Sequence, residues 1–237
     1  MIKAIIFDMN GIIIDDEHIH ELAFRKTVEP FGIIPTHKNY LNCCAGRTDK
    51  EGYISISEEF STPLPVNKLL KEKANIYLKL YPKHKKVFPG VLEVIYSLSK
   101  KYLLALTSSA SWAEVKLITH EFSINKLFKV TISADDVKKG KPNPEPYLTT
   151  CKLIGLKPQE CAVIEDSKNG ILSAKSAGCL CIGLTTTHSK RDLEKADAVV
   201  NSFEEINSKL FTHLENHVPI LRAYCKSRVC SRDSEQA

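Results

Sequence analysis

Four places in the chain set polar side chains where buried strands would end. Residues 7–11, FDMNG, put Asp8 and Asn10 directly after the apolar run IKAIIF. Thr107, Ser108 and Ser109 end a second run, YLLALT. Lys141 lies in KGKPNPEPY, and Glu165, Asp166 and Ser167 close a third run, CAVIEDS. Asp8 and Asp166 are hard oxygen donors of the kind that hold Mg²⁺, an ion usually bound by one or two carboxylates together with a substrate phosphate. The ion would offset the repulsion among the carboxylates and the phosphate. Lys141 would add positive charge, while Ser108 and nearby backbone amides would supply directional donors to phosphate oxygens. Some of these residues also have plainer readings. Asn-Gly is a strong turn signal, and Ser167 fits a helix N-cap as well as a support for the acidic loop.

These residues can meet only if the fold brings several strand ends together. Short apolar runs at 2–7, 102–107, 129–133, 161–165 and 179–184 read as buried strands, with a weaker sixth at 197–200. Between them, helical patterns fall at 90–100, 112–122, 144–154, 168–177 and 203–211. Strands alternating with helices of this length predict an α/β fold, a mainly parallel sheet covered on both faces. In such sheets ligands sit beyond the carboxyl ends of the strands, where all four polar clusters fall. The alternation breaks at 15–85, which has no good strand and suggests helices around Ile19 to Ala23 and Leu69 to Leu80. That block predicts an inserted helical subdomain, joined by two crossings near 14–16 and 81–89 that could act as a hinge. The expected division is a core of 1–14 and 86–211, a helical unit of 15–85, and a C-terminal extension of 212–237, where LENHVPILRAY could pack once more.

Composition narrows the function. The chain has 237 residues, 43% of them hydrophobic, enough for a sizeable core. Its net charge of +5 is too modest to imply nucleic acid. Residues 66–86 carry seven lysines and one glutamate. This stretch reads as a solvated face or as an attractor of anionic substrate, and it lacks the interleaved aromatics of a single-strand binder. No apolar run is long enough to span a bilayer, and the N-terminal run lacks a basic leader. None of the eight cysteines forms a CxxC pair, and six lie in or beside apolar segments, as buried thiols do. A reducing, cytoplasmic setting and a monomer are expected.

With these pieces in order, the chain resembles the haloacid dehalogenase superfamily of aspartate-based phosphohydrolases over roughly residues 1–210. It is most similar to the β-phosphoglucomutase-like branch, whose helical cap follows the first motif. FDMNG, Thr107–Ser109, Lys141 and Glu165–Asp166 match the four motifs in order. The resemblance implies a Rossmann-like core and an aspartyl-phosphate formed on Asp8. It implies Mg²⁺ held by Asp8, the Asn10 carbonyl and Asp166, with Glu165 as a ligand or acting through water. Lys141 would neutralise the nucleophile, and Ser108, Ser109 and the amides of Met9 and Asn10 would surround the phosphate.

Position 10 departs from that pattern. The family's phosphatases and mutases usually carry an aspartate there, which protonates the leaving alkoxide and then activates the attacking hydroxyl. Asparagine has no titratable group, and losing a general acid–base typically costs ~10²–10⁴-fold in rate. The asparagine could be engineered, could be natural in a protein with lost or redirected activity, or could be bypassed by another group such as His20. His20 matches a cap histidine of the mutase branch, although a surface histidine is the plainer reading. In that branch a Lys-Gly pair precedes a substrate-reading arginine. CCAGRTDK keeps Gly46 but has Ala45 at the lysine position, Arg47 two places early and Asp49 in the arginine's place. Lys73 could match a further cap lysine. The missing cap readers favour a phosphatase of small phosphorylated metabolites, such as sugar phosphates, over a strict β-phosphoglucomutase. A phosphomutase and a non-catalytic phosphometabolite binder remain alternatives. The Asn10–Gly11 dipeptide also makes slow deamidation chemically plausible.

Overall fold

The computed structural model describes residues 1–44 and 47–217. Its strands are β1 (Ala4–Phe7), β2 (Leu103–Thr107), β3 (Phe128–Ile132), β4 (Cys161–Glu165), β5 (Leu180–Leu184) and β6 (Ala198–Val200). They form one parallel sheet in the order 3-2-1-4-5-6. The central strands β1, β4 and β5 are buried at every residue, which is why each reads as a continuous apolar run. The weak sixth candidate is a real strand of three residues at the sheet edge.

The helices are α1 (Glu17–Val28), α2 (His37–Cys43), α3 (Asp49–Glu59), α4 (Val66–His84), α5 (Val91–Ser99), α6 (Trp112–Glu121), α7 (Glu145–Ile154), α8 (Lys168–Ala177) and α9 (Ser208–His217). Alternation along the strands divides the core in two. Ile5, Phe7, Leu104 and Leu106 face one side and pack with Val91 and Ile95 of α5, Val115 and Ile118 of α6, and Phe211 of α9. Ala4, Ile6, Ala105 and Val163 face the other side and pack with Tyr147 and Cys151 of α7 and Ile171 and Ala174 of α8. The helix expected at 203–211 is instead a 3₁₀ turn, Phe203–Glu205, followed by α9. Helix α9 runs past the expected end because Phe211 and Leu214 continue its apolar stripe into the core.

Helices α1 to α4 lie between β1 and α5 in the chain. Phe24, Val28, Ile33, Tyr40, Tyr53, Ile56 and Leu69 give them a hydrophobic cluster of their own. The sequence suggests α1 and α4 but not α2 or α3. Both of these begin with a capping box, Thr36 with Asn39 and Thr48 with Glu51. The outgoing and returning chains run side by side: Asp15 N–H donates to Lys86 O at 2.8 Å, and Phe88 N–H donates to Ile13 O at 3.3 Å. Cys43, Cys44, Cys151, Cys161, Cys179 and Cys181 are free thiols. Gly46, Cys225, Cys230 and most of the expected C-terminal extension lie outside the described residues.

Candidate active site

The strand order changes direction at β1, whose neighbours are β2 and β4. Phe7 is level with Leu106 on β2 and Ile164 on β4. The next residue along each strand is therefore Asp8, Thr107 and Glu165. Asp8 extends the ladder by donating its N–H to Ile164 O at 3.0 Å. Lys141 comes from the loop before α7. Its Nζ donates to Asp8 Oδ1 at 2.7 Å, to Glu165 Oε1 at 2.7 Å and to Thr107 O at 3.2 Å. Three of the four clusters picked out in the sequence thus converge on one ammonium group.

Glu165 is an anchor. Its Oε1 also accepts from Tyr147 OH at 2.8 Å. Its Oε2 accepts from the N–H groups of Asp166 and Ser167 and from Ser167 Oγ, at 3.0–3.2 Å. Ser167 has both of its expected roles, since its side chain also caps α8 by accepting from Gly170 N–H at 3.0 Å. Asp166 Oδ2 accepts from Thr187 Oγ1 at the end of β5. Two glycines make room for this acidic loop. A Cβ on Gly170 would overlap the Glu165 carboxylate, and one on Gly11, where φ is +78°, would overlap that of Asp166.

Oxygens of Asp8, Glu165 and Asp166 lie within 4.8 Å of one another, all three residues are buried, and Lys141 is the cation paired with Asp8 and Glu165. Burial and the Glu165 charge push the Asp8 carboxyl up to about 7 despite the pull of Lys141. Burial, Glu165 and Asp8 hold Asp166 well above the usual carboxylate range. The same three carboxylates against one lysine leave excess negative charge that a divalent cation would offset. Asp8 and Asp166 each keep an oxygen without a side-chain donor among the described residues. The donor set is all oxygen, which suits Mg²⁺.

Asn10, in the same loop as Asp8, turns its side chain to a separate set of groups. Its Nδ2 donates to Asp16 at 2.9 and 3.1 Å and lies 3.2 Å from His20 Nε2, while its Oδ1 accepts from Ser108 Oγ at 3.2 Å. His20 is not a surface residue. It stacks on Tyr77 with ring centroids 4.5 Å apart, and its Nδ1 lies 2.9 Å from Lys73 Nζ. Lys73, alone among the lysines of 66–86, is buried, and it donates to Asp49 at 2.5 Å. Met9 buries its side chain in the core, so only its backbone faces the site. The Met9 and Asn10 amides enter no backbone–backbone hydrogen bond among the described residues. Asp8, Asn10, Asp16, His20, Arg47, Ser109, Lys141 and Asp166 line a cavity of about 220 Å³ between the sheet and the helices α1–α4.

A profile of the haloacid dehalogenase-like hydrolases matches residues 5–184, from β1 through β5. The chain belongs to the haloacid dehalogenase-like hydrolase family. It is 33% identical over 210 residues to validoxylamine A 7′-phosphate phosphatase of Streptomyces hygroscopicus subsp. limoneus, covering 87% of this chain and 96% of that one. It is 32% identical over 181 residues to a phosphorylated carbohydrates phosphatase of Thermotoga maritima, covering 74% and 82%. Among solved structures, β-phosphoglucomutase from Clostridium difficile superposes with a TM-score of 0.81 at 26% identity, covering 91% of this chain and 98% of that one.

Sequence reasoning missed Asp16, Glu114, Tyr147 and Thr187 among the polar residues of this hydrolase site, and noted Asp49 only as standing in the cap arginine's place. Thr187 could have been found, because the same strand-end rule applies to TTTH after β5. Asp16 carried a weaker signal, the second acid of IIDDE, which reads as part of a chain crossing.

Proposed function

We propose that this chain is a Mg²⁺-dependent hydrolase of small phosphate monoesters, of sugar-phosphate type, that works through an aspartyl-phosphate on Asp8. The observation that carries this reading is the Asp8 carboxylate at the sheet's switch point, 2.7 Å from a buried lysine and beside two further acids. Asp8 would attack phosphorus and become phosphorylated, and the ester's alkoxide would leave. Lys141 would hold Asp8 in position and neutralise the phosphoryl oxygens. Ser108, Ser109 and the Met9 and Asn10 amides would receive the phosphate. Asp8, the Asn10 carbonyl and Asp166 would hold Mg²⁺, with Glu165 fixing Lys141 and the acidic loop. The ion would supply charge stabilisation for the phosphoryl group.

The unit formed by α1–α4 would be a cap over the core, the crossings near 14–16 and 81–89 would be its hinge, and Arg47, His20 and Lys73 would face or border the substrate. The phosphorylated carbohydrates phosphatase and the validoxylamine A 7′-phosphate phosphatase among the relatives support the substrate class. The free buried thiols support a cytoplasmic setting. The likeness to β-phosphoglucomutase favours a second reading, a phosphomutase that returns the phosphoryl group to a bound sugar phosphate.

The test is a screen of sugar phosphates, nucleotides and p-nitrophenyl phosphate with Mg²⁺. Turnover that requires Mg²⁺ and disappears in Asp8→Asn is the expected result. Product held as a sugar bisphosphate, with little free phosphate, would mean the mutase. Tight binding of a sugar phosphate with no turnover in any form of the protein would mean a binding protein.

A further inference from the structure

The surroundings of Asn10 are built for an amide. Its Nδ2 faces both oxygens of Asp16, and its Oδ1 faces the Ser108 hydroxyl. An amide offers a donor to a carboxylate and an acceptor to a hydroxyl at the same time, whereas an ionised carboxylate offers only acceptors. Asp16 is 1% exposed and is held from three sides. Tyr77 OH of α4 donates to it at 2.5 Å, His20 Nε2 of α1 lies 3.3 Å away, and Asn10 supplies the third contact.

These contacts give the Asp16 carboxylate the hydrogen bonds that its burial takes away from water. The neighbouring cations are already placed elsewhere: Lys141 on Asp8 and Glu165, and Lys73 on Asp49 and His20. Glu114, also buried, adds negative charge from α6. An aspartate at position 10 would therefore set two buried carboxylates against each other at hydrogen-bond distance, with the His20 ring shared between them in place of the amide that now donates across the gap. Two such groups do not ionise together without strong repulsion.

Resting on the phosphohydrolase reading above, we propose that Asn10 and Asp16 are a matched amide–carboxylate pair, in which this corner of the site keeps one carboxylate and carries it at Asp16 instead of position 10. Asp16 is the positioning residue that turns the Asn10 amide away from the metal side and its carbonyl oxygen toward Ser108. The asparagine is then the residue around which the site is built, and Asn10→Asp by itself does not create a working acid–base group. Moving the carboxylate requires exchanging both residues, Asn10→Asp together with Asp16→Asn. The exchanged pair reproduces the same hydrogen bonds, with the amide of residue 16 donating to position 10 and its oxygen accepting from Tyr77.

The experiment compares four proteins: the parent, Asn10→Asp, Asp16→Asn and the double exchange. Thermal midpoints are measured without substrate at pH 8, and Mg²⁺-dependent turnover is measured on p-nitrophenyl phosphate. Each single variant should lower the midpoint by about 10 °C, and the exchange should regain most of the loss. The exchange should exceed Asn10→Asp by ~10-fold or more in kcat with KM little changed. If Asn10→Asp does not fold but the exchange does, the pairing is supported. Additive thermal losses, an exchange that unfolds as the single variant does, or full activity in Asn10→Asp alone would each overturn it. Absence of turnover in all four proteins would count against the phosphohydrolase reading, while the thermal cycle would still decide the pair.

Discussion

Asp8 and Lys141 are in contact before any substrate arrives, and Glu165 holds the lysine from its other side. Replacing Lys141 by methionine keeps most of the side chain's volume but removes the charge that both acids rely on. Breaking a buried pair of this kind costs ~3–5 kcal/mol, so Lys141→Met should lose that stability in a denaturant titration. It should also lose ~10²-fold or more in kcat on whichever phosphate ester is turned over. Deamidation at Asn10–Gly11, suggested by the dipeptide, is opposed by the structure. Nδ2 is held by Asp16, and Gly11 N–H, which would have to attack the side chain, donates to Ile14 O at 2.9 Å. Peptide mapping of an aged native sample should find no mass gain at Asn10, whereas unfolded protein should acquire one. At this scale Asp8 and Asp166 were legible because strand ends mark them, whereas Lys141, expected at a strand end, lies well past β3 in the loop before α7 and was legible only through its motif. The partnership of Asn10 with Asp16 was not legible, since Asp16 is fixed by Tyr77, which lies 61 positions away and reaches it only through the packing of α1 on α4.

The acidic loop between β4 and α8 is positioned by backbone fit as much as by charge. Gly170 lies in the first turn of α8, against the Glu165 carboxylate. Gly170→Ala should destabilise the protein by ~1–3 kcal/mol through overpacking, readable as a lower thermal midpoint, although alanine is the better helix former. An unchanged or higher midpoint would show that Glu165 can move aside. The strands were legible in the sequence because burial on both faces writes them as unbroken apolar runs. Helices α2 and α3 were not, because each buries few side chains, Tyr40 and Cys43 in α2 and Tyr53 and Ile56 in α3, too few to write an apolar stripe. Their capping boxes were the signal available.

The molecule as a whole holds buried charge in its acidic cluster that Lys141 does not balance. Asp8, raised to about 7, holds a proton in the folded, metal-free protein that the unfolded chain releases near pH 3.8. Its contribution to stability is therefore present below pH 3.8 and is lost as pH rises through about 7. Asp16 has the opposite sign: its contribution is present above pH 3.8 and is lost as pH falls below that value. A divalent cation at the acidic cluster should relieve the first effect. Saturating Mg²⁺ should raise the thermal midpoint by ~5 °C or more at pH 8 and by less at pH 5. An equal rise at both pH values would count against a site made of these carboxylates.

The alternation of strands and helices made the sheet and the position of the inserted helices legible in the sequence. The cavity between them was not, because its walls come from distant segments, α1, α4 and the loops after β1, β2, β4 and β5.

The central claim is covalent chemistry at Asp8, and it has a direct test. The protein is mixed with Mg²⁺ and a phosphate ester found active in the screen, quenched in acid within one turnover and mapped by mass spectrometry. A phosphoryl group on the peptide containing Asp8, absent from Asp8→Asn and present before free phosphate is released, is the predicted result. Release of phosphate with Asp8 unmodified at every time sampled would contradict it.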